Sequence, residues 1–270
     1  MPIITKISVA KRNKGRFHIY LDKGEGEEYA FTVSEDVLVK RQLIKGRKLT
    51  EKEIEAIREE DVLDKAFQKA LNFLSYRMRS KKEVLQYLKD QEVQQEEASQ
   101  LLDRLKDLNL LDDQMFAAAF VRTKKNTQKK GPLIIEQELY EKGISQRMID
   151  KAMEEYPVEE QLNNAMNAAS KKLSSYKSEA HRQKKQKLGQ FLMQRGFTSS
   201  VVQQAVEESM KDNDDNLELE AIRKQGTKAV KKFSKLEGWE REQRIKQHLY
   251  QRGFSMEIIE EWLREQEEEE

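Results

Sequence analysis

The chain offers little to acid–base or nucleophilic chemistry. Its three histidines, His18, His181 and His248, are far apart, and it contains no cysteine. Thiolate nucleophiles and disulfides are thereby excluded, which fits a reducing compartment. No HExxH zinc helix, no GxGxxG after a strand and no GxxxxGK(S/T) phosphate loop occurs. The run DNDDN at 212–216 has the opening spacing of a calcium loop. That loop needs glycine at its sixth position and a bidentate glutamate at its twelfth; Leu217 and Arg223 stand there instead. The run reads as a loop between repeats, and no metal or other cofactor is expected. Acidic residues are so frequent that they single out no catalytic pair. A nuclease built from dispersed carboxylates would have to declare itself by metal-dependent cleavage of DNA.

What remains is charge. Net charge is only +1, with 50 Lys and Arg against 49 Asp and Glu, so any anion recognition must come from distribution. Four stretches lack acidic residues. Arg77, Arg79, Lys81 and Lys82 lie in the first; Arg122, Lys124, Lys125, Lys129 and Lys130 in the second. Arg182, Lys184 and Lys185 open the third, and Arg223, Lys224, Lys228, Lys231, Lys232 and Lys235 belong to the fourth. These twelve residues of the first three stretches are the candidate binding set. If the scaffold repeats, basic runs in phase with it form a stripe able to follow a phosphate backbone or an acidic protein groove. Solvated helix surface is the plainer alternative.

The elements that position these charges can be read from periodicity. Ile3, Ile7 and Val9, then Phe17, Ile19 and Leu21, then Tyr29, Phe31 and Val33 alternate with period two. With turn-forming NKG and DKGEGE between them, they predict a small three-stranded antiparallel meander that must pack on a following helix. Ser34 is a candidate N-cap for a helix over 35–44, and Thr50 with Glu53 forms a capping box. Beyond Asp61 the pattern is helical to the end.

There it also repeats. ELYEKGISQRMIDKAMEE (138–155), FLMQRGFTSSVVQQAVEE (191–208) and HLYQRGFSMEIIEEWLRE (248–265) align without gaps, and YLKDQEVQQEEASQLLDR (87–104) fits more loosely. Gly143, Gly196 and Gly253 mark the copies, with Glu92 in the equivalent place of the first. The glycines suit a left-handed residue ending a helix, and Val93, Ile144, Phe197 and Phe254 follow as apolar plugs. A further helix precedes each copy, over 62–76, 113–125, 160–177 and 217–233. The expected fold is therefore mainly α, with tandem three-helix repeats in a curved solenoid behind the meander. The expected division is 1–60 for the N-terminal part, then repeats over 61–111, 112–157, 158–212 and 213–270. The glutamates of 267–270 are expected to fray. No apolar run approaches the roughly 18 residues of a membrane span, and the opening MPIITKISVAKRNKG lacks a signal-peptide core. A cytoplasmic protein is expected.

KALNFLSYRMRSKKEVLQYL (69–88) resembles the opening signature of the RecX family, an Ala-Leu-x-x-Leu helix followed by Arg-x-Arg-Ser. LNLLDDQMFAAAFVRTKKNTQKKGPLIIEQELYEKGI (108–144) resembles its central one, with Leu-Asp-Asp, the Phe116–Ala117 pair and Lys-Gly-Pro before a Lys-Gly-Ile end. The N-terminal strands and fourth repeat are similar to the long Gram-positive form. The resemblance implies a non-enzymatic array of three-helix repeats, acting as a monomer. It implies binding to the RecA recombinase filament on single-stranded DNA, which restrains filament extension, ATPase and strand exchange in repair and the SOS response. It also implies, for some members, direct DNA binding. Arg77, Arg79, Lys81, Lys82, Lys124, Lys125, Lys129 and Lys130 are the first candidates for contact. The competing reading is a nucleic-acid-binding solenoid with no recombinase partner.

Overall fold

A computed structural model describes residues 1–11, 14–211 and 215–269. The chain divides into two compact units, Met1–Phe116 and Ala117–Glu270.

The first unit opens with β1 (Ile3–Val9), β2 (Arg16–Asp22) and β3 (Glu27–Ser34), antiparallel in the order β1-β2-β3. Ile7 opposes Ile19, and Ile19 opposes Phe31. Ile4, Ile19, Leu21, Phe31 and Val33 share one buried face. β2 keeps the expected alternation, but a register shift between Ile4 and Lys6 turns Ile4 inward and leaves the expected Ile3 and Val9 exposed; past a second shift at Ile19–Tyr20, Tyr29 is exposed too. The five inward residues are buried against Val37 of α1 (Glu35–Lys40) and Ile54 and Ile57 of α2 (Glu51–Ser75). Ser34 caps α1 by accepting from the Val37 amide, and Thr50 and Glu53 form the full capping box of α2.

The helix begun at Thr50 and the helix expected over 62–76 are one, so α2 belongs both to the sheet's core and to the first repeat. Asp61, halfway along it, is 3% exposed. It accepts from both Arg16 (2.7 Å) and the Ser34 amide (3.0 Å), and pairs with Lys65 at 2.9 Å. This buried charge ties sheet to helix, and its neighbours satisfy it. α3 (Lys81–Asp90) and α4 (Gln95–Asp107) complete the repeat around Phe67, Val84, Leu88, Ala98 and Leu102.

α5 (Asp113–Thr123) ends in a π-helical turn, Lys124–Gln128. α6 (Pro132–Glu141) and α7 (Gln146–Met153) close the second repeat. α8 (Val158–Leu173), α9 (His181–Gln194) and α10 (Ser199–Met210) form the third. The fourth consists of α11 (Asp215–Lys232), α12 (Gly238–Gln251) and α13 (Met256–Glu269). The backbone of α13 stays helical to Glu269, against the expected fraying, while Glu270 lies outside the described residues. So do Asp212–Asp214 of the DNDDN run.

Every repeat ends its second helix in the same hydrogen-bonded turn. The amide of the apolar plug donates to a leucine carbonyl five residues back: Val93 to Leu88, Ile144 to Leu139, Phe197 to Leu192, Phe254 to Leu249. The residue before the plug is left-handed, with φ of 80°, 85° and 90° at Gly143, Gly196 and Gly253. This is the Schellman arrangement, which satisfies carbonyls left open at a helix end. Glu92 adopts φ 63° in the same place. The first repeat thus holds a side-chain-bearing residue where its sisters have glycine.

Two glycines do more than turn the chain. The amides of Gly131 and Leu133, at the start of α6, donate to the carbonyls of Arg195 (2.7 Å) and Gly196 (3.0 Å). A Cβ on Gly131 would lie 2.2 Å from the Gly196 carbonyl carbon, and one on Gly196 would lie 2.8 Å from the Ile134 nitrogen. The second and third repeats thus dock backbone on backbone. Gly253 meets the start of α9 through side chains instead, with Gln183, Ala180 and Arg182 around it.

Candidate basic interface

In the first unit the candidate cations surround the turn between α2 and α3. Ser80 is fully buried there and exchanges capping hydrogen bonds with Glu83. Arg77 pairs with the same Glu83 at 2.9 Å. The Arg79 guanidinium lies 4.0 Å above the Phe73 ring, which stacks on Tyr87 at 4.2 Å. Burial, then the charge of Arg77, pulls the Arg79 pKa down. Arg79 thus holds the turn together, while Lys81 and Lys82 are exposed. Tyr76 beside them is 82% exposed.

In the second unit most of the second-repeat cations pair internally. Arg122 meets Glu155 at 2.8 Å and Lys125 meets Glu160 at 2.6 Å. Lys124 and Lys130 share Glu138. Burial pushes Glu138 up, but its hydrogen bonds to Lys130 and Lys124 outweigh this and leave its pKa low. Buried Asn164 of α8 donates to the Lys125 carbonyl (3.2 Å) and to the Tyr156 hydroxyl (3.1 Å), which in turn donates to the Lys130 carbonyl. The π-helical turn is therefore clamped from two sides, with Lys129 at its end in a left-handed conformation.

Arg182 and Lys185 are exposed on α9. Lys184 corrects the expected stripe: it is 3% exposed. It stands four and eight residues before Leu188 and Leu192, on the buried face, and burial lowers its pKa. Among the tyrosines, Tyr76, Tyr140 and Tyr250 are exposed. Tyr176 is half-buried, with Lys172 and Lys187 over its ring.

The structure also gathers cations outside the candidate set. The turn after the first helix of one repeat faces the first helix of the next, and a groove opens at two such junctions. One, of about 530 Å³, includes Lys129, Lys171, Lys172 and Arg195 in its lining. The other, of about 730 Å³, includes Lys177, Arg223, Lys224, Lys228 and Lys231. Among the described residues no carboxylate lines either groove, although Arg223 pairs with Glu265 at 2.9 Å. Arg195 donates to the carbonyls of Gln128 and Lys129, fixing the turn that forms the first wall. Lys171, Lys172 and Lys177 are the residues missed by sequence reasoning. Their signal was present, since 161–178 is itself free of acidic residues.

Among the described residues no His, Cys, Asp and Glu cluster is placed to hold a metal, and no helix is long and apolar enough to cross a membrane. Fold and surface together define a helical-repeat protein with a basic face at its repeat junctions. The family model for the regulatory protein RecX N-terminal domain matches residues 2–50. Those for the first and second RecX three-helix domains match 66–105 and 112–153, and that for the third matches twice, over 159–206 and 216–263. A regulatory protein RecX of Bacillus cytotoxicus is 41% identical over 97% of both chains, and one of Bacillus cereus strain B4264 is 39% identical over the whole of both. A crystal structure of regulatory protein RecX is 39% identical, with a TM-score of 0.66 over 77% of this chain and all of that one. Another, of RecX from Lactobacillus salivarius, is 31% identical, with a TM-score of 0.53 over 56% of this chain and 97% of that one. The chain belongs to the RecX family.

Proposed function

We propose that this protein binds the RecA recombinase filament on single-stranded DNA and restrains its extension, ATPase and strand exchange, acting in the cytoplasm as a monomer without catalytic activity of its own. The observation that carries the reading is whole-length similarity to proteins named for a regulatory role. The surface is suited to such a task. A repeated turn bearing lysine or arginine makes many modest contacts, and these add when the partner is itself a repeating polymer. Arg77, Lys81, Lys82, Arg182 and Lys185 supply solvent-facing charge, whereas Arg79, Arg122, Lys124, Lys125 and Lys130 shape the turns that present it.

The test is recombinase ATPase on single-stranded DNA with and without the purified protein. Hydrolysis falls as protein is added; an unchanged rate at saturation removes the reading. The second reading, a nucleic-acid binder without a recombinase partner, is favoured by the two lysine-rich grooves, in whose lining no described carboxylate stands. Comparing bare with recombinase-coated strands separates the two: preference for the coated strand supports the regulator.

A further inference from the structure

The two basic grooves adjoin. The first takes Asn167, Lys171 and Lys172 from α8, and the second begins at Ser175, less than one turn further along the same chain. They are also copies of one another. Lys171 and Lys228 are separated by the same 57 residues as Gly196 and Gly253, so they hold the same position in successive repeats.

Arg223 of the second groove pairs with Glu265 at 2.9 Å, but most of the groove lysines are uncompensated. Among the described residues, Lys171, Lys224, Lys228 and Lys231 pair with no carboxylate, although paired lysines abound elsewhere in the unit. In the first groove the Arg195 Nε is buried without an acceptor. Like charges lining one groove repel, and a bound polyanion relieves that repulsion.

We propose that the two grooves form one binding track for the phosphodiester backbone of a single nucleic-acid strand, taken without regard to base sequence. Lysines that follow one another from α8 to α11 suit an extended, flexible chain of regularly spaced anions. The aromatic ring in the first groove, Phe191, is half-buried with Lys172 and Arg195 over it at 5.7 and 5.6 Å. It offers no free platform for a base, so backbone charge is what the track reads. The filament reading is the setting on which this rests; the proposal assigns the strand's share of the contact to α8, α11 and the turns beside them.

The experiment follows anisotropy of a fluorescein-labelled oligodeoxythymidine with the full-length chain across a potassium chloride series. Two double variants empty the grooves in turn: Lys129→Asn with Lys171→Ala, and Lys228→Ala with Lys231→Ala. Asparagine keeps the left-handed turn accessible at position 129. Each pair flattens the slope of log K against log salt by about 1.4, at about 0.7 per phosphate contact on a single strand. Lys89→Ala with Lys151→Ala, exposed lysines outside both grooves, leaves the slope as it was. Circular dichroism verifies that all variants stay helical. A mixed-sequence oligonucleotide binds as oligodeoxythymidine does. Equal slopes in groove and control variants overturn the proposal. So does displacement of the strand by poly-glutamate as readily as by unlabelled oligonucleotide, since the site then takes acidic protein. Recombinase ATPase, run on the same variants, reports separately on the filament reading, which stands or falls on the wild-type protein.

Discussion

Gly196 and Gly253 occupy the same slot in successive repeats, yet replacing each by alanine should have unequal effects. Both have positive φ, 85° and 90°, so either alanine incurs about 1–2 kcal/mol of left-handed strain. Their surroundings differ. At Gly253 the new Cβ lies 3.0 Å from the Gln183 Cγ, on a long side chain that can swing away. At Gly196 it lies 2.7 Å from the Ile134 Cγ1 and 2.8 Å from the Ile134 backbone nitrogen, and the nitrogen cannot move without shifting α6. Overpacking of this kind adds about 1–3 kcal/mol, and the shift threatens the hydrogen bonds from the Gly131 and Leu133 amides. Gly253→Ala should therefore cost about 1–2 kcal/mol and Gly196→Ala about 2–5 kcal/mol. Urea unfolding followed by circular dichroism gives both values. Hydrogen exchange localises them, because the Gly131 and Leu133 amides should lose protection in Gly196→Ala and keep it in Gly253→Ala. Equal destabilisation with both amides still protected would refute the claim that this junction docks through backbone.

Glu92→Gly should stabilise the protein by about 1 kcal/mol, since relief of left-handed strain exceeds the added freedom of the unfolded chain; a lower urea midpoint would contradict it. Asp61→Ala should cost about 3–5 kcal/mol, because Arg16 is left half-buried without its partner, and melting curves on an isolated variant suffice to check it. The low pKa of Glu138 sets a direction for acid: its contribution is complete above the ordinary value of 4.5 and is lost as pH falls through the lower folded value. Glu138→Gln should be less stable than the parent at pH 7 and should flatten the decline below pH 4.5; parallel pH profiles would show that the Lys124 and Lys130 pairs contribute nothing.

Local chemistry explains why so much of the fold was legible. Alternating apolar residues placed the three strands, the i, i+4 pairs placed the second helix of each repeat, and the glycine–plug pair marked the Schellman turns. Ser34, Thr50 and Glu53 cap as their spacing predicts. Other features depend on partners distant in sequence. The continuity of α2 across both cores depends on Asp61 meeting Arg16 and Ser34 across 45 and 27 residues. The π-helical turn at Lys124–Gln128, where an ordinary helix was expected to run to 125, is held by carbonyl contacts from Asn164 and Tyr156. Gly196 reads in sequence as a helix stop alone. Only contact with Gly131 and Ile134 shows that it is also a place where two backbones meet.

The basic surface was legible by phase and misread by run. Three acid-free stretches fall around the end of the first helix of their repeat, whereas the one assigned to the third repeat, opening at Arg182, falls on its second helix. Lys184 within it lies on the buried face, which its spacing of four from Leu188 already implies. Phase points instead to 161–178, where Lys171, Lys172 and Lys177 stand at the end of α8 and in the turn that follows. With that substitution all four repeats carry cations at the same place. In the second repeat acidic neighbours pair off most of them, leaving Lys129. In the third and fourth, Lys171, Lys224, Lys228 and Lys231 meet no described carboxylate. A run of lysines records composition, whereas position within the repeat decides whether those lysines can meet an anion together. Register is therefore the better guide to which lysines stand together, and in the third and fourth repeats it gathers them in the grooves between repeats.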